Sequence, residues 1–261
     1  MKFVILTFIQ GILIGISLII PGLSGGTTAI LLGIYQKLLD ILGDFSLKVK
    51  KEIKFLFILS IGCIAGIFIG SIPVKFAIAN FKTQFGFFVT GVLIGSLSIF
   101  TNEFKIKKLA NSVYIGMGIT IIILITKISL KSSFFVDYII LPSLISTALI
   151  LPGISVTNIL IAFGQYDVLL NSIVNFDFVY IVKTLFLLSF STFLLVKSLS
   201  LLYKKYPAPI NMLTLGMVIV SIFQVWKEYI TNFYITDIFW GLFGLFLSLF
   251  ISLFHERTND R

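Results

Sequence analysis

Apolar residues run almost unbroken from Phe3 to Ile20, meet Pro21-Gly22, pass through Ser24-Gly25-Gly26-Thr27-Thr28 and turn apolar again toward Tyr35. Residues 134–166 do the same around Pro152-Gly153. Crossing the ~30 Å hydrocarbon core of a bilayer takes a helix of about 20 apolar residues. Each stretch is too long for one crossing, and its second arm is too short for another. A backbone broken at membrane depth is tolerated only where protein buries it or a wet cavity receives it. The pattern predicts two re-entrant hairpins, over 3–36 and 134–166. Each is a helix, a Pro-Gly break and a short return helix.

The two stretches are copies. Pro21-Gly22-Leu23-Ser24, followed after eight residues by Gly33-Ile34-Tyr35, recurs 131 residues later as Pro152-Gly153-Ile154-Ser155 and Gly164-Gln165-Tyr166. Gly91 with Ser96 recurs 125 residues later as Gly216 with Ser221. Six further segments read as full spans: 55–74, 84–100, 112–126, 178–196, 212–226 and 235–254. The expected fold is therefore an all-α integral membrane protein of about six transmembrane helices plus two re-entrant hairpins. Residues 1–133 form the first repeat and 134–261 the second, each one hairpin plus three spans. An odd number of crossings per half turns the second copy upside down, the inverted-repeat plan of many secondary transporters.

Composition agrees with a membrane setting: 58% of residues are hydrophobic and 12% charged, against roughly a quarter charged in ordinary globular chains. The net charge of +9 would suggest nucleic acid in a soluble protein. Here it reads as cationic loops that set orientation, with no nucleic-acid partner. If both hairpins return to their own side, 14 of the 20 Lys and Arg residues share one face and 6 the other. If each region crossed once instead, the split would be 10 to 10. Cationic excess belongs to the cytoplasmic side, so both termini are expected there. The basic segment 37–54, with apolar Ile41, Leu42, Phe45, Leu47, Val49 and Ile53, reads as an interfacial helix on anionic lipid.

The break residues suggest the chemistry. After each Pro-Gly a new helix starts, with unpaired N–H groups and a partial positive charge. Ser24 and Ser155 are natural N-caps, and Thr27, Thr28 and Thr157 add hydroxyls. Gly25 and Gly26 let backbone amides approach a ligand. Two facing helix N-termini would bind a phosphate, sulfate or carboxylate. A single Pro-Gly-x-Ser is most often only a kink; duplication at fixed spacing and the charge split favour a site. Lys75 and Lys183 lie near the outer ends of spans, where snorkelling is the default and drawing an anionic headgroup inward the sharper role. Tyr35 and Tyr166 read as interface-belt aromatics. Gly91, Gly95, Gly216 and Gly62-x3-Gly66-x3-Gly70 read as helix-packing notches.

Catalysis is not expected. Residues 3–36 and 138–166 contain no charged side chain, so Ser24 and Ser155 have no visible activator and no carboxylates stand ready for a metal. Cys63 is the sole cysteine and His255 the sole histidine, which leaves no thiolate or imidazole metal site. No cofactor is implied. The apolar N-terminal segment lacks a small-x-small cleavage site, so it does not read as a secretory signal.

From Gln10-Gly11 through Pro21-Gly22-Leu23-Ser24-Gly25-Gly26-Thr27 to Leu32-Gly33-Ile34-Tyr35, the chain resembles the bacterial polyprenyl-phosphate (undecaprenyl-phosphate) transporter family, formerly a domain of unknown function. The resemblance extends over essentially the whole chain. It implies that Pro21, Gly22, Ser24, Gly25, Gly26 and Thr27 form one half of the substrate site, and Pro152, Gly153, Ser155 and Thr157 the other. It implies return of undecaprenyl phosphate from the outer to the cytoplasmic leaflet of the bacterial cell membrane, recycling the carrier for envelope polymers. The phosphate would sit at the hairpin tips while the tail stays in lipid. Two positions depart from the family pattern: Val156 replaces a Gly, and Leu18 an Asp found in many members, so ion or proton coupling through that carboxylate is in doubt.

Three other readings remain. A membrane undecaprenyl-diphosphate phosphatase has similar hairpins, but that family carries an Arg after the Ser and paired Glu residues. Here Gly25 and Val156 follow the serines and no Glu precedes Glu52. A small-anion channel or transporter would use the same paired N-termini, and a non-transporting scaffold would leave the duplicated breaks unexplained.

Overall fold

Ten α-helices are defined in the computed structural model, which describes residues 2–43, 48–102, 110–125, 139–151, 153–156, 159–160, 163–165, 168, 177–232 and 234–259. They are α1 (Lys2–Ile19), α2 (Gly25–Leu31), α3 (Tyr35–Gly43), α4 (Lys48–Asn80), α5 (Lys82–Asn102), α6 (Ala110–Ile125), α7 (Leu141–Ile150), α8 (Phe178–Lys205), α9 (Pro207–Tyr229) and α10 (Ile238–Asn259). A 3₁₀ turn, Ile235–Asp237, leads into α10. Among the described residues no strand occurs.

Among the described residues, four segments are long and apolar enough to cross a membrane: Lys51–Asn80, Phe178–Lys205, Pro207–Tyr229 and Ile235–Ser252. The anticipated spans 84–100 and 112–126 fall on α5 and α6. Large apolar side chains stand fully outward on α4, α8 and α10, Phe68, Ile72, Val179, Phe186 and Phe246 among them. Such a continuous apolar exterior is stable only against a nonpolar solvent. Burial is uneven: 56% of the apolar window of α9 is buried but only 6% of that of α8, which makes α9 the inner helix.

Glycines decide which helices meet. A Cβ at Gly15 would collide with Cys63 O on α4, and one at Gly62 or Gly66 with the carbonyl of Phe8 or Ile12 on α1. Only small residues allow backbones this close in a membrane interior. Gly91 on α5 likewise lies on the backbone of Gly241 and Leu245 in α10, and Gly216 on α9 lies on that of Val113 and Met117 in α6. α5 thus packs on α10, and α9 on α6. α5 and α9 also touch each other.

Of the segment 37–54, residues 37–43 lie in α3 and 48–54 in α4, which continues to Asn80; 44–47 lie outside the described residues. Lys37 pairs with Glu52 at 3.0 Å and lies 4.1 Å from the Phe55 ring centre, while Lys204 reaches Asp40 at 3.6 Å. These half-exposed contacts orient α3 against α4 and α8 more than they stabilise it, since surface pairs contribute about 0–1 kcal/mol.

Candidate functional site

The first break follows from local chemistry. Pro21 has no N–H to donate. Gly22 adopts φ +85°, a conformation that costs other residues about 1–2 kcal/mol. Ser24 is extended at φ −115°, ψ 150°, and its Oγ accepts from Thr27 N–H at 3.1 Å, capping α2. Gly33, at φ +64°, ends the turn.

Where it is described, the second break repeats the backbone features of the first. Gly153 and Gly164 have φ +87° and +66°, close to Gly22 and Gly33. Thr28 N–H donates to Ser24 O at 3.1 Å and Ile159 N–H to Ser155 O at 3.3 Å. Ile34 N–H donates to Ala29 O at 3.0 Å and Gln165 N–H to Leu160 O at 2.8 Å. Each bond pair is separated by the same 131-residue offset as the motif.

The two breaks touch. Gly153 N–H donates to both Ser24 Oγ and Thr27 Oγ1, each at 3.1 Å, and those hydroxyls lie 2.9 Å apart. All three groups are buried, Thr27 completely. Ser221 on α9 donates through its Oγ to Gly153 O, which ties the next peptide, Gly153–Ile154, to α9. α9 also receives both glycines. A Cβ at Gly22 would run into Val225 Cγ2, and one at Gly153 would lie 2.7 Å from Val218 N. Ile20, Leu23 and Leu31 of the first break pack with Val89 and Leu93 of α5 and with Leu215 and Val218 of α9. Ile154, Ile159 and Leu160 of the second pack with Ile145 of α7 and Met217 of α9.

Of the residues anticipated for the site, Gly22, Ser24, Gly25, Gly26, Thr27, Thr28, Gly153 and Ser155 are buried around this junction, and Pro21 is half-buried. Thr28 Oγ1 has no hydrogen-bond partner among the described residues. Pro152 and Thr157 lie outside the described residues, as does Tyr166. Lys75 is exposed on α4. Lys183, also exposed, lines a cavity of about 380 Å³ together with Leu141, Pro142 and Ile145 of α7 and with Gln165. Tyr35 is not an interface-belt residue: it is 7% exposed, with its ring edge-on to Tyr203 of α8 at 6.3 Å. A second cavity, about 230 Å³, adjoins Gly25 and Gly26. Leu18 lines it and packs on Gly25, so no carboxylate faces the glycines from that position.

Sequence reasoning matched Ser221 to Ser96 but gave it no place in the site. The repeat was the available signal, yet the copies differ in use: Ser96 Oγ donates to Leu93 O within its own helix.

The buried junction presents one amide and two hydroxyls within hydrogen-bonding distance of one another, without a charged group among them. It can hold an oxyanion by donation alone, and nothing in it resembles an activated nucleophile. Among known proteins, a family model described as VCA0040-like, undecaprenyl phosphate translocase-like, matches residues 14–189, a stretch that contains both breaks. No curated protein and no solved structure matches the chain.

Proposed function

The chain belongs to the undecaprenyl phosphate translocase-like family, and from that premise we propose that it carries undecaprenyl phosphate from the outer to the cytoplasmic leaflet of the bacterial cell membrane. The single observation that carries this reading beyond the family is the junction of Gly153 N–H with Ser24 Oγ and Thr27 Oγ1. Buried donors cannot be left unpaired without cost. With no anion between them, the two tips satisfy each other. A phosphate monoester accepts from the same amide and hydroxyls, and bonds to an ionised acceptor are about twice as strong as neutral ones. Substrate therefore replaces the tip-to-tip bonds rather than adding to them. Ser221 holds the second tip to α9 through Gly153 O while this exchange occurs.

In this reading the segments 3–36 and 134–166 are re-entrant hairpins, six helices span the membrane, and both termini are cytoplasmic. The halves 1–133 and 134–261 are inverted repeats. Rocking one against the other exposes the junction to each leaflet in turn. Pro21, Gly22, Ser24, Gly25, Gly26, Thr27 and Thr28 serve the headgroup from one tip, and Pro152, Gly153, Ser155 and Thr157 from the other. Lys183, beside its cavity, attracts the anionic headgroup; Lys75 does so from the membrane surface. The protein moves its substrate without chemistry.

Reconstituted in vesicles loaded with fluorescent polyprenyl phosphate, the protein should make outer-leaflet lipid inaccessible to an impermeant quencher while releasing no inorganic phosphate. Phosphate release from the diphosphate form would replace the transporter with a phosphatase. Anion conductance without lipid movement would replace it with a channel. For the topology, cysteines introduced at Lys50 and Asp167 in a Cys63→Ala background should react with an impermeant maleimide from inside only and outside only, respectively. Labelling of both from one side would discard the inverted arrangement.

A further inference from the structure

We infer that the cavity of about 230 Å³ beside the first break holds the isoprenoid units next to the phosphate, so that the near end of the tail is bound by protein and not by lipid. This rests on the lipid-phosphate reading above. Gly25 and Gly26 form one wall of the cavity, in the same turn of α2 as Thr27, whose hydroxyl belongs to the junction. A chain leaving a phosphate at the junction meets this space first. Leu18, Ala29, Leu39, Leu149, Ile150 and Val196 supply the other walls, from five helices. Among the described residues no charged side chain lines it. Of the two polar side chains among its described lining, Thr192 donates its hydroxyl to Ser146 Oγ at 3.0 Å, and Tyr35 sets its ring edge-on to Tyr203 while its hydroxyl is buried without a partner among the described residues.

Such a lining does not hold water, which needs two to four polar partners. An apolar void of 150 Å³ accepts one benzene, six carbons. In proportion, this cavity accepts about nine, close to two five-carbon isoprene units. Leu18, Leu38, Leu42 and Leu149 are only half-buried at its rim, which leaves the rest of a long tail a way out to the lipid. The cavity therefore reads the first units of the tail and is indifferent to its total length.

The test measures equilibrium binding to the full-length protein in nanodiscs of inorganic phosphate, dimethylallyl phosphate, geranyl phosphate, farnesyl phosphate and uncharged geraniol. Lengthening from five to ten carbons should tighten binding about tenfold or more, given burial of apolar carbons, and farnesyl phosphate should add little. Ala29→Leu and Val196→Phe, which fill the cavity from different helices, should abolish that step while leaving binding of inorganic phosphate unchanged. Two variants are used so that misfolding of one leaves the other informative. An equal five-to-ten-carbon step in wild type and in a folded filling variant overturns the inference. So does failure of both geraniol and geranyl phosphate to bind. Geraniol that binds wild type but not the variants, with no phosphate ester binding more tightly than geraniol, keeps the cavity and discards the phosphate junction.

Discussion

Gly153→Ala should abolish transport and lower thermal stability more than any other single change at the tips. At φ +87° an alanine costs about 1–2 kcal/mol in backbone conformation alone. Its Cβ would also lie 2.7 Å from Val218 N and 2.8 Å from Met217 C. Those are helix backbone atoms, so relief requires α9 to move, and α9 carries both tips. Gly22→Ala provides the control. Its φ is nearly the same, +85°, but its obstacle is the side-chain methyl Val225 Cγ2. Val225→Ala should therefore restore much of the stability lost in Gly22→Ala, leaving only the conformational cost. No side-chain change should restore Gly153→Ala. Melting in detergent micelles and initial transport rates measure both. A Gly153→Ala protein with wild-type melting and transport would show that the second tip does not rest on α9.

Removing both hydroxyls at the junction should cost more than the sum of removing each. Gly153 N–H has two acceptors, Ser24 Oγ and Thr27 Oγ1. Ser24→Ala or Thr27→Val leaves it one. Ser24→Ala also removes the cap of α2, a loss of about 1 kcal/mol, while Thr27→Val preserves shape. The double variant strands a buried donor, which costs about 1–3 kcal/mol, and takes both hydroxyl donors from the phosphate. Transport should fall about tenfold or more in each single variant and by about a hundredfold or more in the double, given the loss of one and of two charge-assisted bonds of roughly 1.5–3 kcal/mol each. A double-mutant cycle on melting free energy reads the coupling directly. Strict additivity would mean that the two hydroxyls do not share Gly153.

Much of the local structure was legible. A Gly at 22, 33, 153 and 164 marks four places where the chain adopts positive φ, and their shared spacing marks the two breaks as copies. The glycines at 62, 66, 91 and 216 announced close helix packing, and each does lie on a neighbouring backbone. The family was readable as well, because its first motif is a run of such backbone-determined residues. Tyr35 was misread for a physical reason: a tyrosine near a helix start suits a membrane surface until a partner covers it, and here α8 covers Tyr35.

By itself the sequence determined a helical membrane chain with two like breaks, because apolar length, proline and positive-φ glycine act within a few residues of themselves. Only the tertiary structure decided that the breaks meet through Gly153, Ser24 and Thr27, that α9 supports both, and that an apolar cavity opens beside one of them. Those are choices among several equally apolar helix faces. They are made by contacts between residues roughly 60 to 200 positions apart, and no local pattern encodes which face wins.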